Sequence, residues 1–307
     1  MKSKKYCLVL FLCQVIFCFS LGGCASSATK SKAHAAVDLV IFSFDRPMQL
    51  FALLESTDHY ITGLGDVIVV YRTSNDQFED VYGRVKEYFP GVVFIKQGNN
   101  PHADFKPLTL HAVFDSPHDY ILFGVDDIIV KDYIDLAKSI GQMEKYGAYA
   151  VYFKLGLHLT YCYTRNHSQR VPPYQELEDD LCCWHFKDGQ YDWGYPHTVD
   201  MTLYRKKDIA HDLRTLRYKA PNSFEGSWAG RACSVQHKKG LFYRSSKTVN
   251  LPINKVQLEN NNRHMNVFSL QELLEKFNDG FKIDIIPLFR MKNISVHEEY
   301  VPLFVKR

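Results

Sequence analysis

The sequence predicts an α/β fold: a mostly parallel central sheet with helices on both faces, followed by a mixed region. Three observations predict it. Continuous apolar runs, the mark of strands buried on both faces, recur between residues 37 and 130. Segments with helical spacing separate them, and the connections are too short for anything but right-handed crossovers in one sheet. The 307 residues suffice for one large domain with a real core. The boundaries fall at 1–36 for a leader and tether, 37–150 for the parallel half and 151–307 for the second half.

The elements follow in order. "VDLVIFSF" (37–44) is a strand and "MQLFALLESTDHYI" a helix. "DVIVVYRT" (66–73) is a second strand, and "QFEDVYGRVKEYF" is a helix stopped by Pro90 and Gly91. "VVFIKQ" is the third strand, and "PLTLHAVFD" reads as a helix with Pro107 in its first turn. "YILFGVDD" is the fourth strand; "DYIDLAKSIGQMEKYG" is a helix capped by Asp132 and ended by Gly147. From "AVYFKLGLHLTYCYT" onward the pieces are short, aromatic-rich and strand-like, with long polar loops. "SLQELLEKFNDGFKIDIIPLFRM" closes the chain as a helix from Ser269, ended by Gly280, and then a strand.

The first 35 residues are of another kind. Lys2, Lys4 and Lys5 precede the apolar stretch Tyr6 to Phe19, and "SLGGCASS" follows, the order of an export signal. The run from Tyr6 to Gly23 is also long enough to stay as an uncleaved anchor. "LGGC" resembles the bacterial lipobox, which implies acylation of the Cys24 thiol; Gly22 departs from the usual pattern. Either way the protein is membrane-associated through its N-terminus, with its body on the non-cytoplasmic side. The net charge of +3 is spread along the chain, with no basic tract for nucleic acid. Of eight cysteines, four belong to the leader; Cys162, Cys182, Cys183 and Cys233 lack CxxC spacing, which disfavours a zinc site and leaves a disulfide from Cys162 to Cys182 or Cys183 open.

In an open α/β sheet, ligands bind where the strands end. Four strands end in polar punctuation: "SFDRP" (43–47), "YRTSND" (71–76), "QGNN" (97–100) and "VDD" (125–127). Their ends converge on one crevice in this reading. They supply acids for a ribose or a metal, Arg46 and Arg72 for phosphate, and Lys106 at the start of the next helix. Asp126 and Asp127 interrupt an apolar run, and a carboxylate buried there needs a positive partner. The plain alternative is that the pair terminates a strand.

"VDLVIFSFDRPMQLFALLES", "DVIVVYRTSND" and "YILFGVDDIIV" together resemble the nucleotide-sugar-binding half of glycosyltransferases of the GT-A fold. The resemblance covers 37 to about 150. It implies a GT-A-like sheet with an acceptor half behind it, and a transferase that moves a sugar from a nucleotide-diphosphate donor to a glycan, lipid or protein acceptor. Ser43, Asp45 and Arg46 would lie at the base and ribose, Asp126 at the ribose, and Asp127 on Mn²⁺ or Mg²⁺ bridging the phosphates. Val125 departs from the full DxD motif. His264 would be a third metal ligand or a diphosphate contact, by chain order. Such hard oxygen ligands and a cation stabilise charge on a departing diphosphate.

Transfer by inversion needs a base. Glu225, between Phe224 and Gly226 and near Trp228, resembles that base; a carboxylate beside aromatic surface has its pKa raised. The equal alternative is that Glu225 caps a helix "SWAGRACSVQHKK". Asp192 and Asp200 stand in reserve. Trp193, Tyr195 and Trp184, with Trp228, offer an aromatic acceptor platform, or else core. Nucleotide sugars are cytoplasmic while the leader exports the body, which keeps a catalytically inactive, carbohydrate-binding lipoprotein as the alternative. A glycoside hydrolase fits poorly, because adjacent Asp126 and Asp127 point to opposite faces of a strand. A dinucleotide oxidoreductase is disfavoured by the lack of GxGxxG after the first strand.

Overall fold

Strand β1 (Val37–Phe44) is buried from Val37 to Ser43 because its alternate side chains enter two different cores. Val37, Leu39 and Ile41 pack on one face of the sheet, Val40 and Phe42 on the other. The computed structural model describes residues 36–256 and 263–307; the leader with Cys24, and residues 257–262, lie outside the described residues.

β1 pairs in parallel with β2 (Leu64–Arg72), and β2 with β3 (Val93–Lys96). On its other side β1 pairs in parallel with β4 (Tyr120–Val125). The second half adds β5 (Ala150–Tyr152), β6 (Tyr174–Glu176), β7 (Leu181–His185), β8 (Thr202–Arg205) and β9 (Lys239–Tyr243). The nine strands are ordered β6-β7-β9-β5-β8-β4-β1-β2-β3. β8 is antiparallel to both β4 and β5, so the mixed region is joined edge to edge with the parallel one.

Helices α1 (Pro47–Tyr60), α2 (Asp76–Tyr88), α4 (Leu136–Lys145) and α7 (Leu270–Asn278) contribute to the core that holds Leu39 and Ile41. Helices α3 (Pro101–Phe114), α5 (Lys206–Thr215) and α6 (Pro221–Ala229) contribute to the other. α7 begins at the Ser269 cap, whose hydroxyl accepts from Glu272 N while the Glu272 carboxylate accepts from Ser269 N. Gly147 and Gly280, at φ +59° and +83°, follow α4 and α7 in the left-handed conformation that glycine favours.

Three local expectations are corrected. α3 starts at Pro101 behind an Asn100 cap, and Pro107 lies in its interior. Both prolines fit a first turn by residue type, and Asn100 supplies the side-chain acceptor that decides between them. α4 is capped by Asp135, while Asp132 is held by Lys247 Nζ at 2.6 Å and Arg290 Nε at 3.0 Å. No disulfide joins the four described cysteines; Cys162, Cys182 and Cys183 are buried thiols and Cys233 is exposed. Among the described residues no helix is long and apolar enough to cross a membrane.

Candidate active site

The parallel register sets the ends of the first four strands level. Phe44 is opposite Arg72, Phe42 opposite Val125, and Tyr71 opposite Lys96, so 43–46, 72, 97 and 125–127 emerge at one edge of the sheet. All of them except Asp45 line a crevice of about 1300 Å³, bordered by Ser43, Phe44, Arg46, Arg72, Gln97, Val125, Asp126 and Asp127. β8 runs the other way, with Thr202 opposite Phe123 and Tyr152. The loop before β8 therefore shares this edge with the turn after β5, and Asp200 and Lys154 enter the same crevice.

The positive charge facing the two acids is Arg46. Its Nη1 donates to Asp126 Oδ1 and to Asp127 Oδ2, each at 3.1 Å. Its Nε donates to Asn254 Oδ1 at 3.0 Å and its Nη2 to the Asn254 carbonyl. Asp126 Oδ2 also accepts from Ser43 Oγ at 2.9 Å and from Phe44 N at 3.1 Å. The Ser43 hydroxyl proton is thereby committed to Asp126, and the buried Tyr82 hydroxyl backs Ser43 from behind. Burial, with Asp127 alongside, pushes the Asp126 carboxyl up to about 6 against the pull of Arg46. Burial opposes the Arg46 charge as well, but Asp126 and Asp127 outweigh it and hold the guanidinium protonated.

Ser43, Arg46 and Asp126, read from the sequence as donor-binding, all border the crevice. All three are tied to one another at the strand ends, and it is Asp127, with 18 % of its side chain exposed, that presents an oxygen beyond the Arg46 bond. Asp45 does not border the cavity. It sits at φ +52°, its Oδ1 accepting Ser74 N at 2.8 Å, and it joins the first strand end to the second. A non-glycine residue there is strained by about 1 kcal/mol, which the side-chain bond offsets. Burial raises the Asp45 carboxyl, with the Ser74 bond and the Arg72 charge opposing. The Arg72 guanidinium lies 3.8 Å over the Phe44 ring at the crevice wall.

Glu225 also borders the crevice, in the second turn of α6, so it does not cap that helix. Its Oε1 accepts from Thr198 Oγ1 and from Val199 N, each at 2.7 Å. Burial, then Asp200, push its carboxyl up to about 7. Tyr195, Asp192 and His264 line the same space, as do Tyr191, Asn250 and His297.

Other candidates fall away. Lys106 points off the crevice: its Nζ donates to the carbonyls of Arg214 and Leu216 at 2.8 and 2.6 Å, tying α3 to the end of α5. Trp184, Trp193 and Trp228 are fully enclosed in the second core, where Trp184 meets Trp193 and Trp228 stacks on Phe224 and His197. They offer no face to a sugar. The polar residues of the crevice include two that sequence reasoning missed, Lys154 and His297. Lys154 carried the same signal as Asp126, a charge inside the apolar run "AVYFKLGL".

Among the described residues, Asp38, Asp66 and His118 lie close enough together for one ion. Their chemistry speaks against one, since Asp38 already holds Lys206 Nζ at 2.7 Å, His118 Nδ1 at 2.6 Å and Asp66 N at 3.1 Å. Asp38 is also the second residue of β1, about 16 Å of strand away from Ser43 and the crevice. In the crevice, Asp127 keeps a carboxylate oxygen outside the Arg46 pair, and His264 also borders the space.

No protein-family model matches the chain. Over an alignment 193 positions long that covers 56 % of the chain, the sequence is 28 % identical to the bifunctional glycosyltransferase pgtA of Dictyostelium discoideum. The sequence is similar to a glycosyltransferase. The chain spans 24 % of the length of that relative. Among solved structures, S. aureus TarS 1–349 in complex with UDP overlaps 68 % of this chain and 58 % of its own, at 11 % identity and a TM-score of 0.46. The mannosyltransferase PcManGT from Pyrobaculum calidifontis, in complex with GDP-Man and Mn2+, overlaps 66 % and 53 %, at 8 % identity and a TM-score of 0.38.

Proposed function

We propose that the protein is a glycosyltransferase that moves a sugar from a nucleotide-diphosphate donor to a glycan, lipid or protein hydroxyl in one inverting step. The observation that carries this reading is a single crevice that holds both a diphosphate-type edge, with Arg72 and the Arg46–Asp126–Asp127 network, and a carboxylate of raised pKa, Glu225. The 28 % identity with a glycosyltransferase supports it.

In this reading Glu225 is the base. As the acceptor oxygen bonds to the anomeric carbon, its proton passes to Glu225 Oε2, and the bond from that carbon to the diphosphate breaks with its electron pair leaving on phosphate. Arg72 faces the departing charge. Asp127 and His264 are the residues that would hold Mn²⁺ or Mg²⁺, which when bound neutralises charge on the diphosphate. Tyr195 and Tyr191, which border the crevice, take the acceptor-stacking role that the buried tryptophans cannot. We also propose that acyl chains on Cys24 attach the protein to a membrane; palmitate labelling that survives Cys24→Ala would remove that assignment.

The test is release of nucleoside diphosphate by the full chain from UDP-glucose, UDP-galactose, UDP-N-acetylglucosamine and GDP-mannose with Mn²⁺, with and without oligosaccharide acceptors. Acceptor-dependent release from one of them is expected, with inversion seen in the anomeric proton coupling of the product. Donor binding without turnover would instead identify an inactive carbohydrate-binding protein.

A further inference from the structure

Lys154 is the one charged side chain of the run that follows β5, and it is 3 % exposed. Its Nζ lies 2.8 Å from Thr198 Oγ1 and 3.3 Å from Asp200 Oδ2. A hydroxyl has one proton, and that of Thr198 goes to Glu225 Oε1 at 2.7 Å. The oxygen lone pairs of Thr198 are left for Lys154 Nζ and for Asp200 N, at 3.2 Å. With Val199 N also on Oε1, the Glu225 carboxylate has one oxygen occupied twice, while its other oxygen has no protein donor among the described residues.

We propose that Lys154 is a positioning residue for Glu225: through Thr198 it fixes Oε1 and leaves Oε2 as the oxygen that takes the acceptor's proton, and together with Asp200 it balances the charge of that transfer. Before the step the three side chains, one ammonium and two carboxylates, carry one net negative charge. After the acceptor proton arrives on Oε2 they carry none, so the product of the proton transfer is the form a buried cluster tolerates. The inference rests on the reading of Glu225 as base.

The charged and titratable groups around Glu225 are Asp200, Lys154, Tyr195 and Tyr204, with Asp192 beside Lys154 and His297 beside Asp200. Two of them act in opposite senses. Removing the ammonium in Lys154→Met favours protonated Glu225, and removing the carboxylate in Asp200→Asn favours the ionised form. With the donor that turns over, the acid limb of the pH–rate profile is therefore expected to rise by about one pH unit in Lys154→Met, which lowers turnover at pH 7 about fivefold, and to fall in Asp200→Asn. Donor KM stays within about twofold, and Lys154→Arg restores the limb. The same displacements are expected in the Glu225 carboxyl carbon followed by NMR in glutamate-labelled full-length chain, assigned by its absence in Glu225→Gln; this readout needs no substrate. A Lys154 that served the fold without acting on Glu225 would leave the limb in place. Limbs that move together or stay in place, with Glu225→Gln inactive, overturn the role of Lys154 alone, and an active Glu225→Gln overturns the base reading and this one with it. Should Lys154→Met fail to fold, Asp200→Asn alone still decides, because an unmoved or raised limb there overturns the proposal.

Discussion

Glu225→Gln separates stability from activity, and the site fixes the sign of each effect. The ordinary value of a glutamate carboxyl is 4.5, and burial with Asp200 nearby raises it to about 7 in the folded protein. A raised folded value means that the native state holds the proton more tightly than the unfolded chain does. The stabilisation is full below about pH 4.5 and is lost as the pH climbs through 7. At about 1.4 kcal/mol for each pH unit, the loss would be about 3.5 kcal/mol for a sealed site, and the open crevice reduces it to about 2 kcal/mol. Glutamine keeps an Oε1 to accept Thr198 and Val199 and carries no charge. The variant should therefore match the parent near pH 4.5 and exceed it at pH 8, by roughly 4–8 °C in Tm for a chain of this size. Thermal unfolding by circular dichroism at pH 5 and 8 measures this. Sugar transfer should fall by about 10²–10⁴ in the same variant, as expected for a lost general base. A Tm difference that is the same at both pH values would refute the placement of the raised carboxyl.

Other perturbations probe the rest of the site. Arg46→Met strands Asp126 and Asp127 without their cation and should destabilise the fold by about 3–5 kcal/mol, less at pH 5 than at pH 8 because Asp126, which burial already pushes up to about 6, then takes up a proton; urea midpoints at the two pH values check this. Asp127→Ala should leave the Arg46–Asp126 pair and thermal stability nearly intact while weakening donor binding in Mn²⁺, as read by calorimetric titration; unchanged affinity would remove Asp127 from the metal assignment. Trp193→Ala should cost about 3–5 kcal/mol in unfolding free energy through the cavity it leaves, with acceptor KM little changed in whatever protein remains folded. Lys106→Ala should leave donor affinity unchanged and lower stability by at most about 1 kcal/mol, the value of its carbonyl contacts.

Much of this arrangement was legible in the chain. Residues that break an apolar run with a charge, such as Asp126 and Asp127, marked the crevice, because a charge in such a run is costly unless a site uses it. The four polar strand ends were readable for a similar reason, since parallel crossovers return every strand in the same direction and bring the ends to one edge. Lys106 misled because its position after the third strand says nothing of side-chain direction: it lies on α3 on the side that meets α5. The tryptophans misled because an aromatic cluster in a loop-rich segment has the same composition whether it faces sugar or fills a core. Pro107 misled because the helix cap is made by a single side chain, Asn100, seven residues before the start that the second proline suggested.

The sequence by itself determined the alternation of strand and helix through residue 150 and the edge at which ligand-type residues gather, because both follow from local periodicity and from the handedness of short crossovers. Tertiary structure decided the partners. Arg46 closes on Asp126 and Asp127 across 80 and 81 residues, and Asn254 closes on Arg46 across 208. The reversal of β8 against β4 and β5 brings Thr198, Asp200 and Lys154 to Glu225. Contacts made over such separations depend on how sheet edges and loops close in space, and no local pattern of residues encodes them.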